Sequence, residues 1–524
     1  MSVEPIRPLL PINIHVIEPE VLDAEIVDDD LELPLINIRP EHEAVTRVMA
    51  LLAAHCKDLF HRGGELVRVV CPTEPHAAPV IETVSQHWLR DQISRLARFQ
   101  RQGRDGSQPC LVPDWLAIML LDRRDYPGIR SLRAVAEAPI LSTDGQVHRH
   151  GYDPDTAVLV LPGAGNLTAR MPESPTLKDA QEATAKLLAV VQDFPFAPAP
   201  SVESHRAAWM ALVLGLPARY VIDGPMPYGV IDASSQSSGK GVLMQVTTLI
   251  GTGRHATVTP CSSDKEELRR VVLSVVLPGD RVGWLDEIPS PFGGRAWNAL
   301  CTAWPTYADR KIRTSSALKL PALTCWVISG NNVLLDADST RRALIVRLEP
   351  DVENPENRGD FRQADLLGWV KAHQPDLIEA ALTILVAFHI AGRPRVIKEP
   401  IGSYESWDGL VRQAVAWVTG QDPMAPRKEM ASLVDCRRTA WAQVAQFLHD
   451  IFGGRSFTSR QALVELAGPK STDAAREALD ELLEGKPANP RAWGFVLGRH
   501  RGLIARGLRL DIVSPHRNEG LVYR

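Results

Sequence analysis

Along most of this chain apolar residues return every three or four positions, the spacing that gathers them on one side of an α-helix, and short β-branched runs interrupt the pattern. Val45, Val48, Met49, Leu52 and Leu59 predict a helix over Glu43–Phe60, after which Gly63-Gly64 opens a strand at Glu65–Val70. The same spacing predicts helices over Ile81–Gln100 and Pro113–Leu121. Asp144-Gly145 and Gly151–Asp155 read as turns beside short strands, the second of them Ala157–Leu161. Helices over Thr176–Val191 and Ser201–Leu216 are separated by the proline-rich joint Phe194–Pro200.

From Arg219 onward strands and helices alternate, as expected of a parallel sheet with helices on its faces. The predicted strands are Tyr228–Asp232, Ala256–Pro260, Val282–Glu287, Leu323–Gly330 and Ala343–Leu348; helices fall at Val242–Leu249, Ser263–Leu277, Phe361–Lys371 and Asp376–Ala391. Pro394 and Pro400 mark a boundary, and the chain then reads as helical to Phe452. Helix signals at Ser456–Ala467, Asp473–Leu483 and Arg491–Arg501 precede short strands at Leu508–Val513 and Leu521–Tyr523 around a turn at Pro515–Gly520, an order of winged-helix type. The expected organisation is a flexible acidic arm over 1–40, a mixed α/β N-terminal domain over 41–175, an α/β core with its leading helices over 176–395, a helical linker over 396–455 and a winged-helix-like module over 456–524.

Length agrees with several domains, since single cores stop growing at roughly 250–300 residues and this chain has 524. Apolar residues make up 45% and charged residues 23%, ordinary values for a globular protein that give no reason to read the chain as disordered or fibrous. The longest apolar runs fall short of the ~20 residues that span a bilayer, and no basic head with an apolar stretch opens the chain, so a cytoplasmic protein with no membrane partner is expected. The seven cysteines contain no C-x-x-C pair, which argues against a zinc knuckle or a disulfide framework. A net charge of −5 hides an acidic stretch at Glu18–Glu43 and an arginine-rich one at Arg491–Arg524, so any contact with nucleic acid is local.

The candidate chemistry begins after Tyr228–Asp232, where Ala233-Ser234-Ser235-Gln236-Ser237-Ser238-Gly239-Lys240-Gly241 leads into a helix. A triphosphate needs inward backbone N–H groups, a helix N-terminus and a cation. Ser234, Ser237, Ser238, Gly239, Lys240 and Gly241 are therefore the candidate nucleotide-binding set. The pattern G-x-x-x-x-G-K-[ST] is met at Gly239 and Lys240, whereas Ser234 replaces its first glycine and Gly241 its metal-binding hydroxyl; Ser238 or a water could fill that gap. Downstream, Val282–Leu285 ends in Asp286-Glu287. Alone, two acids are more often a strand cap. Behind a G-K loop, Asp286 is a candidate Mg²⁺ ligand and Glu287 a candidate base for the attacking water, the two motifs meeting at adjacent strand ends. Asn331 and Asn332, at the end of a strand beside the loop, are candidates to hold that water and sense the γ-phosphate.

Together Gly239-Lys240, Asp286-Glu287, Ser329-Gly330-Asn331-Asn332 and Asp338-x-x-Arg341-Arg342 resemble the AAA+ helicase core of superfamily 3, and more closely the helicase parts of primase-helicases from phages, plasmids and integrated elements. The likeness extends to Asp193-Phe194-Pro195-Phe196, to Gly151–Thr156 and to the terminal module, spanning roughly residues 60–524. It implies an AAA+ P-loop NTPase core using ATP and Mg²⁺, a homo-hexameric ring on single-stranded and forked DNA, origin duplex DNA and a separate primase as partners, and Arg341 or Arg342 as an arginine finger on the neighbour's nucleotide. The plainer alternative for both arginines is a surface salt bridge. Lys311, Arg313 and Lys319 stand where such helicases carry a hairpin that grips single-stranded DNA. In the terminal module Arg499, Arg501, Arg506, Arg509 and Arg517 would lie against duplex phosphates, the alternative being an oligomerisation cap. No primase site is visible. Two other readings stay open: an ATP-binding origin or initiator protein in which Gly241 has cost catalysis, and an AAA+ remodeller of proteins.

Overall fold

The structure, a computed structural model, describes residues 33–524 apart from 73–77, 104–105, 162–170, 263, 290, 311–316, 353–354, 360, 484–485 and 517–519. It is a mixed α/β protein with several sheets, dominated by one parallel sheet of five strands. The chain forms two compact units, one comprising the described residues up to Leu59 with Val84–Ile129, the other Phe60–Thr83 with Arg130–Arg524.

The smaller unit has a three-stranded sheet of Leu35–Asn37, Arg98–Gly103 and Gly106–Cys110 beside the helices Glu41–His55, Gln86–Leu96 and Asp114–Asp122. The helix expected over Ile81–Gln100 is thus only Gln86–Leu96, capped by Ser85, whose hydroxyl accepts from the Trp88 N–H. The flanks became strands because partners existed for them: Val80–Thr83 pairs antiparallel with Val67–Val70, and Phe99–Gly103 with Gly106–Cys110. Strand pairing with a partner outside the window overrides local helical spacing. Gly151–Asp153, read as part of a turn, is likewise a strand paired with Val158–Val160.

In the larger unit, helices α1 (Leu177–Val190) and α2 (Val202–Ala218) precede the main sheet. Its elements run β1 (Tyr228–Ala233), α3 (Lys240–Thr252), β2 (Val258–Pro260), α4 (Lys265–Val276), β3 (Val282–Asp286) and α5 (Arg295–Cys301). They continue with the hairpin strands β4 (Thr306–Arg310) and β5 (Ala317–Pro321), then β6 (Cys325–Asn331), the one-turn helix α6 (Ala337–Thr340) and β7 (Ala343–Leu348). The strand order is β2-β3-β6-β1-β7, all parallel.

Both faces of this sheet are covered, which is why its strands read as unbroken apolar runs. Ile231, Ala233, Trp284, Val327, Leu344 and Val346 pack toward α2, α3 and α8 (Gln374–Ile390), and the alternate residues Val230, Leu285, Ile328 and Ile345 pack with the residues of α4 and α5. Helix α7 (Leu366–Ala372) precedes α8, which is buried from Leu377 to Phe388 and carries apolar residues all round. The long helix α9 (Pro426–Phe452) leads to the terminal module. There β8 (Phe457–Thr458), α10 (Ser459–Ala467), α11 (Asp473–Leu483) and α12 (Pro490–His500) are followed by β9 (Ile512–His516) and β10 (Gly520–Tyr523), with sheet order β8-β10-β9. Trp441, Leu466, Leu479, Trp493 and Tyr523 form its core.

Candidate functional site

At the C-terminal edge of the sheet, β1 runs out into the loop Ser234–Gly239 and the chain turns into α3. Ser237 (φ +58°) and Gly239 (φ +88°) both take left-handed backbone, a conformation that turns successive N–H groups toward one point. At Gly239 a side chain would also come within 3.3 Å of the Phe194 ring. Ser238 is buried, and its hydroxyl donates to the Ser235 carbonyl at 2.5 Å. That hydroxyl ties the loop to itself through its proton. A Cβ at Gly241 would meet only the Trp284 ring, at an ordinary 3.8 Å.

Lys240 starts α3 and donates to Asn331 Oδ1 at 2.5 Å. Burial lowers the pKa of its ammonium, while Asp286, Asp232 and Glu287 oppose that shift electrostatically. The lysine, both downstream acids and the asparagine therefore converge at one edge of the sheet. The two motif strands are not neighbours, however: β6 lies between β1 and β3. The correction follows from topology, since a strand that comes later in sequence has been inserted between them, and it brings Asn331 up against the lysine.

Strand alternation explains how the polar groups divide. Trp284 and Asp286 share a face of β3, and Ser329 and Asn331 share the matching face of β6. The Trp284 indole N–H donates to Ser329 Oγ at 2.7 Å, and that hydroxyl donates to Asp286 Oδ1, which fixes the carboxylate from behind. Glu287 follows with φ +52°, exposed and in a conformation that costs a non-glycine residue of order 1 kcal/mol or more. Among the described residues no group of three or more His, Cys, Asp or Glu side chains is placed to hold a metal. A magnesium ion that arrives on phosphates requires only one or two carboxylates, and Asp286 with its free second oxygen fits that demand.

Asn332 is held differently from Asn331. Its backbone is left-handed (φ +47°), its side chain donates to the Ser234 carbonyl at 3.0 Å, and its Oδ1 accepts from Arg347 at 3.1 Å. Arg347 also pairs with Asp232, whose other oxygen accepts from the Val333 N–H at 2.9 Å. Asp232 is fully buried, and burial raises its pKa against the pull of Val333 and Arg347. Asp232, Arg347 and Asn332 thus form a latch under the loop; the sequence offered no signal for it beyond one acid and one arginine in apolar strands.

Beside the loop lies a cavity of about 550 Å³ lined by Phe194, Ser237, Gly239, Val242, Phe361 and Trp369 among others. Its apolar walls and its contact with the loop suit a flat ring attached to a phosphate chain.

Arg341 and Arg342 lie elsewhere. They immediately precede β7, and β1 pairs with β7 from Tyr228↔Ala343 to Ala233↔Leu348, so the arginines stand at the opposite edge of the sheet from the loop. At about 3.3 Å per residue that is a separation of roughly 20 Å. Both pair with Asp338, and Arg342 and Arg341 hold its carboxyl below its usual pKa. Arg341 is 76% exposed, and its carbonyl accepts from Arg427 at 2.7 Å. Asp338, Arg341, Arg342, Tyr404, Arg427 and Lys428 line an open cavity of about 840 Å³.

Of the other predicted residues, Lys311, Arg313 and Arg517 lie outside the described residues. Lys319 is exposed on β5, opposite Ala308 of β4, in an antiparallel hairpin anchored by Arg269 of α4 on Asp309. Arg499, Arg501, Arg506 and Arg509 are all exposed; Arg506 is in the tight turn between Ile504–Ala505 and Leu508–Arg509, and Arg509 pairs with Asp511 at 2.7 Å.

No protein-family model matches the chain, and no curated protein is significantly similar to it. Among solved structures it is similar to the A form apo structure of the NrS-1 C-terminal region, with TM-score 0.39 and 10% identity over 83% of this chain and 85% of that one. A structure of the same region limited to 305–718 gives TM-score 0.37 and 10% identity over 91% and 98%. The SCCmec type IV Cch active helicase gives 0.33 and 11% over 74% and 76%. Likeness this slight assigns no role to any residue. No helix among the described residues is long and apolar enough to cross a membrane.

Proposed function

We propose that the chain is an ATP-dependent DNA helicase of the superfamily 3-like AAA+ kind, working as a homo-hexameric ring on single-stranded and forked DNA. The observation that carries this reading is the meeting of Lys240 with Asn331, Asp286 and Glu287 beneath the start of α3. Backbone N–H groups of Ser237–Gly239 and the Lys240 ammonium hold the triphosphate, and the apolar cavity beside Phe194 takes the base. Asp286, steadied by Ser329, would hold Mg²⁺, which neutralises phosphate charge when bound. Glu287 orients and deprotonates the attacking water, and the Asn331 amide, already on Lys240, touches the same terminal phosphate. Asn332 acts through the loop it props.

Lys240 supplies positive charge to the terminal phosphate, and Arg358 and Arg362 line the cavity beside the loop. Arg341 and Arg342, on the far edge of the sheet, serve a neighbouring subunit's nucleotide. Lys319 on β5, with Lys311 and Arg313 between β4 and β5 in sequence, tracks one DNA strand through its phosphates. The terminal module acts as a winged helix on duplex DNA through Arg499, Arg501, Arg506 and Arg509.

DNA-stimulated ATP hydrolysis and displacement of one strand from a forked duplex test this directly. Wild type should do both, and Lys240→Ala neither. Gly241 favours one second reading, an origin-binding initiator that holds ATP without turning it over: nucleotide retained with no hydrolysis at any DNA concentration would establish it in place of the helicase. Hydrolysis indifferent to DNA would point to a protein remodeller.

A further inference from the structure

One face of the terminal module combines features that packing leaves unexplained. On α12, Trp493, Val496 and Leu497 are buried, while Arg491, Phe495 and Arg499 follow one another at four-residue spacing on the exposed side. Phe495 is 70% exposed. Gly498 stands one turn from it, and a Cβ at Gly498 would meet nothing within 4 Å; at Gly494 it would make ordinary contact with Ser459 at 3.7 Å. Neither position needs glycine for space, yet glycine weakens a helix interior relative to alanine. A helix of 11 residues that gives up stability twice and leaves a phenyl ring in water presents a surface meant to be approached closely.

We infer that this face of α12 lies in the major groove of duplex DNA, with Phe495 against thymine 5-methyl groups and Arg491 and Arg499 on the phosphates of the two groove walls. Helix geometry puts successive residues of this line about 6 Å apart along the axis, so Arg491 and Arg499 stand about one turn to either side of Phe495. Bare backbone at Gly498 lets the helix settle deeply beside the ring. Charge selects the occupant: between Pro490 and Arg524 the chain carries seven arginines against two acids. The ring alone could seat on a protein, but arginines on both sides of it match a polyanion. This contact rests on the reading of the terminal module as a winged helix on duplex DNA and adds a base feature to it; it is independent of nucleotide turnover.

The test uses the full-length protein without nucleotide and a fluorescent A·T-rich duplex, made once with thymine and once with uracil in its place. Wild type should bind the thymine duplex about fourfold more tightly, the worth of one buried methyl. Phe495→Ala should bind both duplexes equally and more weakly. Replacing Arg491 and Arg499 with alanine should keep the thymine preference and reduce the slope of log affinity against log salt by about two. Gly498→Ala is the sharpest variant, because it should raise the unfolding temperature while weakening DNA binding. Lys240→Ala should bind as wild type, which separates this result from any failure of the motor. Equal binding of the two duplexes by wild type, or unchanged binding by Phe495→Ala, overturns the inference. A change of oligomeric mass in Phe495→Ala with DNA affinity intact would overturn it in favour of a second copy of the chain as occupant.

Discussion

The two edges of the parallel sheet differ in how completely their charges are matched. At the loop edge almost every polar group is spoken for: Ser329 on Asp286, Asp232 on Arg347 and Val333, Asn332 on Ser234, Lys240 on Asn331. At the edge where β7 begins, two arginines share one half-exposed aspartate beside an open cavity also lined by Arg427 and Lys428. One edge carries a loop of left-handed backbone with Lys240 at the start of its helix. The other holds positive charge with too little to neutralise it. A single chain cannot join them across roughly 20 Å of strand, whereas a second copy can.

The largest effect expected from this contrast is on Arg341→Ala, which should lower DNA-stimulated turnover about a thousandfold, in the range of arginine-finger losses, with nucleotide affinity nearly unchanged. Mixing it with Lys240→Ala subunits should restore part of the activity in steady-state assays, because each variant supplies what the other lacks; no recovery at any ratio would mean the arginines act only as surface pairs. Next comes the latch. Asp232→Ala should cost about 2 kcal/mol of stability in urea unfolding, since it leaves the Val333 N–H without its acceptor and Arg347 with Asn332 alone, and a loss below about 0.5 kcal/mol would show that the loop does not depend on it.

A smaller difference should separate the two asparagines. Asn331→Ala should reduce turnover about tenfold to a hundredfold at unchanged unfolding midpoint, while Asn332→Ala should lower stability by about 1 kcal/mol through its lost bonds to the loop and Arg347. Equal effects on both measurements would remove the distinction between a group in the site and one beneath it. Least of all, Gly241→Ser should raise the hydrolysis rate a few-fold and tighten the Mg²⁺ requirement, because the Cβ has room and the hydroxyl would add a metal ligand. Slower hydrolysis would mean that glycine is needed there for the backbone's closeness to the nucleotide.

Much of the site was legible in order along the chain. An apolar strand, a glycine-lysine loop and a second apolar strand ending in Asp286-Glu287 are local patterns, and local backbone chemistry places each at a strand end. The covered sheet was equally readable, because strands buried on both faces cannot hide their apolar continuity. Less legible were the segments around Gln86–Leu96, where helical spacing ran on into residues that found strand partners, in neighbouring hairpins and, for Arg98–Gln100, in Leu35–Asn37 far back along the chain. Nothing local distinguishes Asn331 from Asn332 either. Their contacts differ because one ends a face shared with Ser329 and the other follows in left-handed backbone.

By itself, then, the amino-acid order determined which groups exist and what each strand or helix end can do, since propensity, alternation and loop chemistry act over a few residues. Only the folded arrangement decided neighbours: that β6 separates the loop strand from the acid strand, that Asp232 meets Arg347, and that the paired arginines face away from their own loop. The reason is that strand order and register are fixed by contacts between segments far apart along the chain, and no short window of sequence contains both partners.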